Sequence, residues 1–259
     1  MINFLRRIRR DLINENKTSI YLIYAVGEVV LVVFGILIAL QIDNWNELKK
    51  NKSEEIEFLI SFHEEFLKNK ERMKTVEALF SEISQSNQLL MNLIGKNPTE
   101  LELVNTDSIL GVSIFCYDYI PGDYVLSNLK STGKLSLISS DKLRKLLFEW
   151  TQELSQKDNA FAMLDKYYME SLIPYLTKNA SLKNIDVYTS YGSDTPSVLE
   201  SNSINMFQQI EFENHLDNYH WTVSFYIESL IKIDNIIDQI EKRTEYAEKR
   251  FLISMQMAF

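Results

Sequence analysis

One acid stands where its surroundings would give it chemistry. Glu28 is the only charged residue in Ile20–Ile42, IYLIYAVGEVVLVVFGILIALQI, a run of 23 residues. At about 100° per residue, Glu28, Val32, Gly35, Ala39, Ile42 and Asn46 fall on one helix face. Val, Leu, Ile and Phe fill the other faces. A lone charge at mid-membrane costs about 2.5–3.5 kcal/mol or more, so such residues turn toward a partner. Gly35 and Ala39, four apart, let a second helix come close. Two chemistries stay open. A neutral Glu28 can donate a hydrogen bond across a helix interface and act as glue, or Glu28 can exchange protons, as acids in membrane helices often do.

The other candidate motifs fail on spacing. His63–Leu67, HEEFL, has Leu67 where a zinc-protease helix needs its second histidine. Ser131–Ser136, STGKLS, puts Asn128 at the first glycine of a phosphate loop and Leu135 at its Ser/Thr. His215 and His220 are five apart and point away from each other on a helix. The single cysteine, Cys116, excludes an intramolecular disulfide and a Cys-rich zinc site, and reads as a small core residue. No serine lies in a G-x-S-x-G turn. The sequence therefore points to no metal, no cofactor and no catalytic residue, with an unrecognised enzyme site as a remaining alternative.

These residues need elements to hold them. The chain has 259 residues, 46% of them apolar, with only 7 Gly and 4 Pro, which favours long helices over sheets and tight turns. A helix of about 20 apolar residues crosses a membrane core about 30 Å thick, so residues 20–42 read as a transmembrane helix. The run is too long for a signal peptide and no small-residue cleavage pattern follows, so the segment is expected to remain as an anchor. Tyr21 and Tyr24 at one end and Trp45 at the other suit the two interfaces. Residues 1–19 form a basic tail in which Arg6, Arg7, Arg9, Arg10 and Lys17 outnumber Asp11 and Glu15. The positive-inside rule places this tail in the cytoplasm and residues 43–259 in the periplasm, although Lys49, Lys50 and Lys52 reduce the asymmetry. The net charge of -9 argues against a nucleic-acid partner.

Beyond Asn46 three apolar seams step by three and four, which predicts long helices at about 44–94, 140–177 and 207–250. The first runs Ile56, Leu59, His63, Phe66, Lys70, Met73, Val76, Phe80, Ile83, Asn87, Leu90, Ile94. The second runs from Leu143 through Trp150, Lys157 and Leu164 to Tyr175, with Pro174 expected to kink or end it. The third, Phe212 to Ile240, has the coiled-coil or bundle spacing without a miss. Gly95 and Pro98 close the first helix, and Asn179–Ser203 reads as the one long loop. The expected fold is all-α: one N-terminal transmembrane helix continuing into an antiparallel helical bundle.

Glu15–Thr18 (ENKT), Tyr24–Glu28 (YAVGE), Gly35–Ile42 (GILIALQI), Asn44–Glu47 (NWNE) and Leu129–Ile138 (LKSTGKLSLI) resemble a bacterial family of single-pass membrane proteins known only as a domain of unknown function. The resemblance implies a single span with a helical outer domain and no activity. The expected role is a membrane-anchored scaffold, sensor or accessory subunit. Its expected partners are the lipid bilayer and either further copies of the chain or a polytopic membrane protein, met through Glu28, Val32, Gly35, Ala39 and Asn46. The alternative is an ion-coupled subunit using Glu28, since a basic tail, one acid-bearing helix and a large outer domain is also the layout of single-pass subunits of ion-driven motors.

Overall fold

The computed structural model describes residues 18–189, 192, 194–199 and 203–256. Its α-helices are α1 (Thr18–Leu93), α2 (Pro98–Leu101), α3 (Thr106–Ser113), α4 (Tyr124–Ser131), α5 (Asp141–Tyr167), α6 (Ile173–Asn179), α7 (Leu182–Asp186) and α8 (Ile210–Gln256). Shorter 3-10 turns lie at Lys134–Leu137 and Ser203–Gln208. Among the described residues there is no strand. The fold is all-α, as the seams require.

The chain forms two compact units, one ending at Glu55 and one spanning Ile56–Phe259. Helix α1 passes from the first into the second without interruption, since no Gly or Pro occurs between Ile36 and Ile94 to break it. It stops where Gly95 turns left-handed, at φ 77°, and the Gly95 amide donates to the Phe207 carbonyl at 2.8 Å. Asn97 then opens α2 with a capping box, its side chain accepting from the Glu100 amide at 3.0 Å while Glu100 accepts from the Asn97 amide at 3.2 Å.

In the second unit the seams face inward. Phe66, Met73, Phe80, Ile83 and Leu90 of α1 are buried with Leu143, Leu147, Trp150 and Leu164 of α5 and with Phe212, Leu216, Tyr219, Tyr226 and Ile237 of α8. Helix α8 runs antiparallel to α1. His63 meets Thr244, Lys70 meets Asp234 and Asp238, and the rings of Phe80 and Tyr226 lie 4.9 Å apart. Helix α5 in turn runs antiparallel to α8, with Phe161 against Tyr226 and Tyr175 stacked on Phe212.

Pro174, expected to kink or end its helix, does not end it: Tyr168–Leu172 widens into a π turn, in which the Ile173 amide donates to the Tyr168 carbonyl, and α6 continues to Asn179. The wider turn takes up the missing donor and the ring of the proline. The stretch read as one loop from 179 holds the short helix α7, opened by the Ser181 hydroxyl accepting from the Asn184 amide at 3.3 Å.

Gly95→Ala is expected to lower the unfolding free energy by about 1 kcal/mol, the cost of a Cβ in the left-handed region. The space around Gly95 is open, so no steric clash adds to it. Urea unfolding of the full chain in detergent, followed by circular dichroism, measures the difference.

Candidate functional site

The face expected to matter in the first unit is left uncovered by the described residues. Val32 is 55% exposed, Gly35, Ala39 and Asn46 are exposed, and Glu28 is half-buried. The apolar side chains around them are bare too, from Leu22 at 61% to Ile42 at 55%. A Cβ added to Gly35 or Gly27 would meet nothing within 4 Å. Glycine in a helix interior costs about 1 kcal/mol against alanine, and nothing within the described chain requires it at either position. Trp45 is exposed, with the Lys49 ammonium 5.8 Å from its ring centre. Tyr21 and Tyr24 lie in the helical backbone of α1, but their side chains are outside the described part, and Arg6, Arg7, Arg9 and Arg10 are outside the described residues.

The second unit holds a polar cluster that the seams only hinted at. Lys157 occupies a core position of α5 and is 2% exposed. Its ammonium donates to both oxygens of Asp118, at 2.8 and 3.0 Å, and to the Tyr119 carbonyl at 2.9 Å, and pairs with Asp158 at 2.7 Å. The Tyr226 hydroxyl, from α8, donates to Asp118 at 2.8 Å and accepts from the Tyr119 amide at 2.8 Å. The Tyr219 hydroxyl donates to the Phe115 carbonyl at 3.0 Å. From α1, Asn69 accepts from the Gly122 amide at 2.7 Å and donates to the Gly122 carbonyl at 2.9 Å. Backbone groups of Phe115, Tyr119 and Gly122 in this irregular stretch are thus met by side chains of three long helices.

This cluster holds structure rather than reacting groups. The ammonium has as many acceptors as it can use. Burial pushes the Cys116 thiol up to about 12, far from the thiolate a nucleophile needs. Burial also keeps the hydroxyls of Tyr119 and Tyr226 protonated. Sequence reasoning missed Asp118, Tyr119 and Asn69. The available signal was Lys157 itself, because a lysine at a seam position has to find an acceptor inside.

The histidines are far apart in their surroundings. His63 is buried against Thr244 at 3.2 Å, and His220 is exposed. His215 lies half-buried beside the π turn, 2.8 Å from the Tyr167 hydroxyl and with its ring 4.6 Å from that of Tyr175. Burial lowers its pKa from 6.5, against the opposing pull of Glu211. STGKLS is the end of α4 followed by a 3-10 turn, with Gly133 left-handed at φ 69°. Among the described residues no group of three His, Cys, Asp or Glu could hold a metal ion.

With that geometry in place, the comparison with known proteins is informative for α1. Residues 28–110 match DUF6090, a family of unknown function. The matched region opens at Glu28, takes in GILIALQI and NWNE, and ends in α3. ENKT and LKSTGKLSLI lie outside it. No curated protein and no solved structure matches the chain.

Two predictions follow from the clusters of the second unit. Lys157→Met leaves Asp118 without its cation, and is expected to cost about 3–5 kcal/mol of stability in chemical unfolding. His215 is held neutral in the fold, so its contribution to stability is present above pH 6.5 and is lost as the pH falls through and below that value. His215→Gln should therefore flatten the acid side of a profile of unfolding midpoint against pH.

Proposed function

We propose that the protein is a membrane-anchored helical scaffold, sensor or accessory subunit that associates through the Glu28 face of its apolar helix. The observation that carries this reading is the bareness of that helix: the most apolar 18-residue window of α1 is 0% buried by the rest of the chain. Such a surface calls for a bilayer. Within a bilayer, Gly35 and Ala39 admit a close helix, and Glu28 sets a polar group on the same face. Trp45 with Lys49 suits the far interface, and the arginines of the tail favour a cytoplasmic N-terminus with residues 43–259 in the periplasm. The partner is a further copy of the chain or a polytopic membrane protein.

A second reading rests on the same acid. If Glu28 carries a proton during a working cycle, the protein is an ion-coupled subunit and its partner is a multi-span protein.

The mass and composition of the complex released from native membranes by mild detergent test the association. A single polypeptide without a partner would overturn it. Glu28→Ala is expected to weaken the complex by about 0.6–2 kcal/mol, the range for an interhelical hydrogen bond in a membrane. Glu28→Gln should keep it, because the amide still donates. Loss of cellular function in Glu28→Gln with the complex intact would favour the proton-carrying reading.

A further inference from the structure

A cleft of about 370 Å³ lies between α1 and the start of α4, within the size range of small-molecule sites. Its walls carry both signs of charge. Lys68 and Arg72, one turn apart on α1, line it and are exposed, and among the described residues neither makes an ion pair. Glu65 lies below them. One of its oxygens accepts from the Val125 amide at 3.1 Å and so caps α4, whose own Asp123 makes no side-chain cap. The other oxygen, Oε1, is enclosed and makes no hydrogen bond of normal geometry, although the Tyr124 amide also helps to stabilise the carboxylate. Buried polar atoms are nearly always partnered, so this one asks for a donor. Phe58 and the ring of Tyr124, 76% exposed, add apolar surface.

A simple anion would suit Lys68 and Arg72 but be repelled by Glu64 and Glu65, and a simple cation would meet the reverse. One ligand class suits both. We propose that the cleft binds a small zwitterion, an α-amino acid with an apolar side chain. Its carboxylate pairs with Arg72 and Lys68, its ammonium supplies the donor that Glu65 lacks, and its side chain lies against Phe58 and Tyr124. Binding requires the lining to open over Oε1, which an ammonium drives because it brings both the charge and the hydrogens. The cleft is built entirely from residues of the second unit, so this inference does not depend on association through α1.

Titration calorimetry of the full chain in detergent micelles tests it, with leucine and phenylalanine as probes and N-acetyl-leucine and leucine amide as controls. The free amino acids are expected to bind, and each capped analogue to bind about tenfold more weakly or less, since each lacks one charge-assisted contact. The exposed double change Lys68→Gln with Arg72→Gln should weaken leucine at least as much while leaving the unfolding midpoint in place. Glu65→Gln keeps an oxygen for the Val125 amide and should remove the preference for a free ammonium. No heat from either amino acid at about 10 mM, equal binding of the capped analogues, or unchanged binding by the double variant would each overturn the proposal. The oligomer mass of the same sample reports separately on the membrane helix.

Discussion

An ammonium closed off from water must be surrounded by acceptors, because a buried donor left unmet is costly. Lys157 meets that condition by drawing in Asp118, Asp158 and the Tyr119 carbonyl. The consequence reaches well beyond the pair. Asp118 also holds Tyr226 of α8, and the stretch it belongs to is tied to α1 through Asn69. A segment with no regular structure therefore acts as the cross-link among three long helices. Apolar seams alone would allow those helices to slide or rotate against one another, because apolar contact has no direction. Directed hydrogen bonds at 115–122 define one register.

The same fixed stretch shapes the neighbouring surface. Gly122 is held on Asn69, and the chain then enters α4 with the Val125 amide pointed at Glu65. That places the ring of Tyr124 and the side chain of Asn128 opposite Lys68 and Arg72. The cleft is thus a by-product of how the interior polar groups are satisfied. Desolvation raises the pKa of Glu65, against the opposing pull of the Val125 and Tyr124 amides and of Arg72.

Helix α1 belongs to two environments while keeping one backbone conformation. Between Leu22 and Ile42 its large apolar side chains are exposed, whereas from Phe62 to Leu90 most of them lie in a single buried stripe, with Leu67 and Leu89 left outside it. The absence of Gly and Pro from Leu37 to Leu93 favours the continuity there. The change from all-round to one-sided apolarity marks the change of surroundings. Among the described residues, nothing buries the apolar surface of the first unit's helix. That is the physical reason for looking to lipid and to a partner helix.

Much of this was legible in the order of residues. The apolar span, its lone acid, the three seams and the stop at Gly95 are local or periodic features, and a helix reports those directly through its 3.6-residue turn. Most residues at seam positions, including the polar His63, Asn87 and Lys157, are buried. What the sequence could not supply is which distant groups meet. Asp118 with Lys157, Asn69 with Gly122 and Glu65 with Val125 are separated by 39, 53 and 60 residues. Such pairings depend on how helices are stacked and in what register, which periodicity leaves free. The π turn ahead of Pro174 was hidden for a related reason. Proline signals only that a donor is missing, and whether the helix breaks or widens is decided by how firmly Leu172, Tyr175 and Leu176 are buried on either side of it.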